Sequence, residues 1–126
     1  MKMERLDHVN VRTANLERMV AWYGDILGLR PGNRPGFSFG GAWLYCGKDP
    51  IVHLVEVKEH QKAEQPRLEH FALAATGLRE FLARLDAKGV KYEAGEPPNF
   101  GMTQVNIWDP DGNHLHVDFR ETRTTK

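Results

Sequence analysis

Two histidine pairs recur at matched spacing along the chain. His8 and His70 are 62 residues apart (70 − 8), and His53 and His116 are 63 apart (116 − 53). Between the members of each pair runs the same order of elements, a short strand, an amphipathic helix and further strand, so the repeat is one of architecture as well as residue type. Imidazole is a common metal ligand and titrates near neutral pH. Four imidazoles at repeat-related places point to a divalent metal centre, provided the strands that carry them aim them at one face.

The surrounding pattern supplies such strands. Leu6 to Arg12 alternates as a strand does, and Asn15 is expected to cap a helix with Glu17 in its first turn. Leu16, Met19, Val20, Tyr23, Ile26 and Leu27 recur at helical spacing, and Gly28 suits the left-handed residue that ends a helix. Arg30-Pro31-Gly32 and Arg34-Pro35-Gly36 read as turns, followed by strand-like runs near Phe37 to Phe39, Ala42 to Cys46 and Ile51 to Val57. This makes a βαβββ module over about 5–57. The charged stretch 58–67 lacks periodicity and reads as a connector, with His60 in solvent.

A second module over about 68–119 repeats the order: Leu68 to Ala74, a helix carrying Leu78, Phe81, Leu82 and Leu85 and closed by Gly89, then strands near Val90 to Ala94, Met102 to Trp108 and His114 to Phe119. Asp109-Pro110-Asp111-Gly112-Asn113 is strong turn chemistry between the last two. The polar tail 120–126 is expected to fray.

Strand side chains alternate between faces. Val9 and Val11 leave His8 and Asn10 opposite, Val52 and Leu54 leave His53 opposite, and Phe71 and Leu73 leave His70 opposite. Leu115, Val117 and Phe119 leave His114, His116 and Asp118 opposite. Leu44 and Cys46 are expected to pack on a helix while Trp43 and Tyr45 turn away, and Val105 and Ile107 to pack while Gln104, Asn106 and Trp108 turn away. One face of each module is thus oily; the other is polar and aromatic and suits a ligand site. The lone Cys46 reads as a small buried hydrophobe.

With 126 residues the chain fits one compact domain, and 17 basic against 17 acidic side chains leave no net charge. Such a balance favours neither nucleic acid nor an anionic membrane. No segment approaches the ~18 apolar residues of a membrane span, and the start lacks a signal-peptide core, so a cytoplasmic location is expected.

Asp7-His8-Val9, Trp22-Tyr23, Leu27-Gly28-Leu29, Trp43-Leu44-Tyr45, His53-Leu54, Glu69-His70-Phe71 and Asp109 to Asn113 together resemble the vicinal oxygen chelate superfamily, which includes glyoxalase I, extradiol dioxygenases and bleomycin-binding proteins. The likeness runs from Leu6 to Phe119. It implies an α+β fold of tandem βαβββ modules forming a cupped mixed sheet with helices on the outer face, a divalent ion in the cup, a small-molecule substrate and a homodimer. The family's ligand places fall on His8, His53, His70 and His116; members that use three leave His53 out. The last place is usually glutamate in catalytic members, and here it is His116.

Replacing carboxylates with neutral imidazoles leaves the full charge of the ion at the centre and makes it a stronger Lewis acid. Imidazole suits zinc, nickel or iron better than manganese or magnesium. The expected function is therefore a metal-dependent enzyme on an oxygen-chelating substrate, stabilising an enolate or oxyanion in a glyoxalase-like lyase or isomerase. His53 is the expected base if three histidines hold the ion. Asn10 and Gln104 are expected to hydrogen-bond substrate, Trp43, Tyr45 and Trp108 to wall it, and His114 and Asp118 to support the ligands from behind. An extradiol-type dioxygenase ranks second, because its two-histidine, one-carboxylate set is missing from these places. A metal-free drug-binding protein of the bleomycin-resistance type is the alternative from another class.

Overall fold

A computed structural model describes residues 1–60 and 66–123. Part of the expected connector (61–65) and of the expected tail (124–126) lies outside these. The chain divides into two compact units, Met1–Ala63 and Glu64–Lys126, one for each βαβββ module.

In the first unit the order is β1 (Val9–Thr13), α1 (Leu16–Leu27), β2 (Arg30–Pro31), β3 (Gly41–Cys46) and β4 (Asp49–Glu56). They form one four-stranded mixed sheet in the order β1-β4-β3-β2, with β1 parallel to β4 and the other pairs antiparallel. Helix α1 lies against β2, β3 and β4 and buries Met19, Tyr23 and Ile26 over Leu44, Val52 and Leu54. Gly28 ends it at φ 72°, a conformation that glycine adopts without a Cβ clash.

Three local expectations need correction here. Asn15 stands at the N-cap position but makes no side-chain cap bond; instead its own amide donates to Thr13 Oγ1 at 2.9 Å. The second strand is Arg30–Pro31, not Phe37 to Phe39. It is an edge strand, where a proline costs no ladder bond, and Phe37 to Phe39 instead turns, the Phe37 amide donating to the Pro35 carbonyl. Cys46 is exposed: the β3–β4 register shifts between Leu44 and Tyr45, and Cys46 then sits at the mouth of the hairpin whose Gly47 takes φ 60°.

The second unit repeats the plan with β5 (Phe71–Ala75), α2 (Leu78–Ala87), β6 (Glu93–Gly95), β7 (Thr103–Trp108) and β8 (His114–Phe119), in the order β5-β8-β7-β6. Leu78, Phe81 and Leu85 of α2 are buried, with Val105, Ile107, Leu115, Val117 and Phe119. Gly77 at the helix start has no side chain to cap with, and Glu121 takes its place: its Oε1 accepts from the amides of Gly77 and Leu78 at 2.8 and 2.9 Å. In the same tail the Arg123 amide donates to Glu96 Oε1 at 3.0 Å.

The turn joining β7 to β8 sets where His114 and His116 fall. Asp109, 4% exposed, accepts from the amides of Asp111 and Asn113 on Oδ1 and from the Asn113 side chain on Oδ2, at 3.0, 3.0 and 2.9 Å. Gly112 closes the turn at φ 85°. Asp109→Ala strands three donors and is expected to lower unfolding stability by about 2 kcal/mol or more. Urea denaturation checks this, and an unchanged midpoint contradicts it.

Candidate functional site

In the first module His8, just before β1, and His53, in the middle of β4, lie with their rings stacked at 3.8 Å and 10°. Trp43, directly across from His53 in the ladder, stacks on the other side at 4.0 Å. His53 is thereby sandwiched and only 7% exposed. Burial holds its pKa below the ordinary value, with the nearby His8 charge acting in the same direction, while the Pro50 carbonyl and Asp7 pull the other way. Its Nε2 lies 3.0 Å from the Pro50 carbonyl, and since a carbonyl only accepts, Nε2 carries the proton and Nδ1 the lone pair.

His8 has the opposite arrangement. Its Nδ1 is 2.8 Å from Asp7 Oδ2, and the hydrogen bond holds the Asp7 carboxyl below its usual range. An ionised carboxylate accepts only, so Nδ1 donates and Nε2 is left with its lone pair outward.

Asn10 is exposed on the same side of the sheet, paired with His53 in register. Tyr45 is used otherwise: past the bulge its hydroxyl donates to the Asn33 carbonyl at 2.6 Å, and its ring lies so close on Gly32 that a Cβ there would meet it at 2.8 Å. Further aromatic groups meet Trp43 from a turn that strand parity did not single out. Phe37 stands 6.4 Å from Trp43 and stacks on Phe39 at 4.9 Å, with the Arg34 guanidinium 4.9 and 5.2 Å from the two rings.

In the second module His70, His114 and His116 group on one face, with ring centroids of His70 at 5.2 Å from His114 and 4.6 Å from His116. His116, on β8, is 8% exposed, and its Nδ1 lies 2.5 Å from Asp118 Oδ1. His70 Nδ1 bonds Glu69 Oε2, and this bond, with a second from His114, holds the Glu69 carboxyl below its usual range. His114 has both nitrogens engaged, Nδ1 with Glu69 at 3.1 Å and Nε2 with Asn106 Oδ1 at 2.8 Å, and stacks on Trp108 at 5.1 Å. Gln104 pairs with Asp118 in the β7–β8 ladder and so shares that face.

Asp7, Glu69 and Asp118 are thus bound to the Nδ1 of His8, His70 and His116, and among the described residues each of these rings leaves its Nε2 without a hydrogen-bond partner. Asp7 and Glu69 are themselves 62 residues apart (69 − 7), so the acid-histidine dipeptide repeats with the histidine. That dipeptide was the readable signal for these acids, whereas no comparable signal marked Arg34, Phe37 or Phe39.

The donor chemistry fits a divalent ion. A ligand histidine commonly gives its other N–H to a carboxylate, which fixes the tautomer and raises basicity. Within module two, Glu69, His70 and His114 also offer ligand atoms within 4.8 Å of one another. The second module therefore holds a two-histidine, one-carboxylate group, a combination that the expected ligand places alone do not contain.

A family model described as the Glyoxalase/Bleomycin resistance protein/Dioxygenase superfamily matches residues 5–117. The chain is 30% identical over 120 residues to a manganese-dependent 2,3-dihydroxybiphenyl 1,2-dioxygenase of Geobacillus genomosp. 3, a match covering 87% of this chain and 37% of that protein. It spans little more than a third of that relative's length. It is 27% identical to Glyoxylase I 4 of Arabidopsis thaliana, covering 93% of this chain and 71% of the other. A glyoxylase/bleomycin resistance protein/dioxygenase domain from Frankia sp. EAN1pec superposes with a TM-score of 0.77 at 18% identity, covering 98% of this chain and 96% of that one, a likeness of fold. No helix among the described residues is long and apolar enough to cross a membrane.

The sandwiched His53 makes a pH prediction for metal-free protein. Its ring should titrate below the ordinary 6.5, and His8→Ala, which removes a repelling charge and part of the cover, should move the value up. NMR titration of the ring protons checks both; a His53 that titrates at or above its ordinary value contradicts the burial argument.

Proposed function

We propose, from the premise that this chain belongs to the Glyoxalase/Bleomycin resistance protein/Dioxygenase superfamily, that it is a metal-dependent enzyme acting on a small substrate that presents oxygens to the ion. The ligands in this reading are His70 and His116 of the second module through Nε2; His8 of the first module is bonded alike. The observation that carries it is the shared bonding of their Nδ1 atoms to Asp7, Glu69 and Asp118. His53 is given a different part in this reading, since it is buried between the rings of His8 and Trp43 and has no carboxylate partner among the described residues.

A bound divalent ion supplies Lewis-acid stabilisation of negative charge developing on substrate oxygen, an enolate or oxyanion. The rest is the work of side chains. His53, with its pKa held down, is neutral at pH 7 and has a lone pair at Nδ1 to take a proton, as a base of a lyase or isomerase requires. Trp43, with Phe37 and Phe39, keeps water from His53 in the first module. Asn10 and Gln104 offer side-chain amides to substrate, Trp108 flanks His114, and Asp118 orients His116. A nitrogen-rich set favours zinc, nickel or iron over manganese or magnesium. A cytoplasmic homodimer belongs to the same reading.

One observation favours a second reading, an extradiol-type dioxygenase. Glu69, His70 and His114 supply two histidines and one carboxylate, the set that suits non-haem iron, and a dioxygenase is among the relatives. In that case His114 must give up a present partner to bind.

Metal content of the untagged protein separates these. The first reading predicts a stoichiometric ion, lost in the His70→Ala, His116→Ala double variant, kept in His53→Ala and His114→Ala, and bound about 10- to 100-fold more weakly in Asp118→Asn. Loss of the ion in Glu69→Gln and His114→Ala with retention in His116→Ala supports the dioxygenase set and overturns the first. No metal in any form, after reconstitution, overturns both and leaves a binding protein.

A further inference from the structure

The C-terminal ends of β5 and β8 enclose a hollow of about 570 Å³, lined among others by Ala74, Ala75, Met102, Asp118, Arg120 and Glu121. That volume lies within the range of small-molecule sites. Small side chains make it: Ala74 stands directly across from Asp118 in the ladder, and a larger residue there would fill the space.

The charges in the hollow are unequally committed. Asp118 is taken up by His116, and Glu121 accepts two amides at the start of α2, where the helix dipole compensates its charge. Arg120 forms no ion pair or hydrogen bond among the described residues and lies exposed. An uncommitted guanidinium beside an apolar floor matches an organic anion, since its planar fork binds a carboxylate through two parallel hydrogen bonds.

We infer that this hollow binds the carboxylate end of a small organic acid, with Arg120 on the carboxylate and Ala74, Ala75 and Met102 against its hydrocarbon. That the acid is the substrate rests on the proposed function. Arg120 continues the parity of His116 and Asp118, and four strand steps span at most about 13 Å. A substrate with its chelating oxygens at His116 reaches Arg120 with a body no longer than that.

The test uses the full chain, metal-free and zinc-loaded, with phenylbutyrate and its neutral amide as probes, followed by NMR of the alanine and methionine methyls. Phenylbutyrate is expected to bind saturably, shifting Ala74, Ala75 and Met102, with affinity lowered about tenfold or more by Arg120→Gln or by use of the amide. Ala74→Leu should block the floor, and Arg120→Gln, at an exposed position, keeps the test valid if that variant fails to fold. Equal binding of acid and amide, an unaffected Arg120→Gln, shifts elsewhere, or no saturable binding overturns the inference. Phenylbutyrate binding without zinc uptake sinks the metal reading and leaves the hollow standing; zinc uptake without phenylbutyrate binding does the reverse.

Discussion

The bond between a carboxylate and the Nδ1 of a histidine decides which nitrogen the clustered histidines of this molecule can offer. An imidazole has two nitrogens and, when neutral, one proton, so whatever fixes the proton decides which nitrogen can bind or accept. Asp7, Glu69 and Asp118 fix it on Nδ1 of His8, His70 and His116, and Pro50 fixes it on Nε2 of His53. Histidines that are equivalent in the repeat are thereby made chemically different. Of the pair His53 and His116, one has an acid two residues on and the other meets a backbone carbonyl and a sandwich of rings. Two modules with one ancestry of pattern thus supply unlike groups.

The scaffold makes that difference durable. Each sheet puts its oily residues under a helix and leaves the other face for polar and aromatic groups, and tight turns lock the register. Asp109 and Gly112 fix the β7–β8 hairpin, so His114 and His116 fall opposite Trp108 and Asn106. In the first module the irregularity in β3–β4 has the contrary effect: it keeps Trp43 across from His53 but diverts Tyr45 to the Asn33 loop. A single added residue in a ladder is enough to redirect an aromatic side chain onto a neighbouring loop.

Much of this could be read from residues alone, and the failures have local causes. The two βαβββ modules, the helix stripes and the oily faces were legible because hydrophobic period is a property of neighbouring residues. The missing cap at Asn15, the exposure of Cys46 and the choice of Arg30–Pro31 over Phe37 to Phe39 as a strand were not. Each depends on a partner strand or turn that periodicity does not name. At the site, parity placed His70, His114 and His116 on one face of module two, and His8, His53 and Trp43 together in module one. The tautomers were illegible, because they rest on which oxygen lies within hydrogen-bonding distance. The Arg34, Phe37 and Phe39 group was hidden in what reads as ordinary turn chemistry.

Long-range proton–nitrogen NMR of the metal-free protein tests the central claim most directly, since it reports which ring nitrogen carries the proton at each histidine. The account predicts Nδ1-protonated rings at His8, His70 and His116, an Nε2-protonated ring at His53, and a shift of the His70 and His116 Nε2 signals on adding zinc. Nε2 protonation at His8, His70 or His116, or zinc shifts confined to histidines other than His70 and His116, would contradict it.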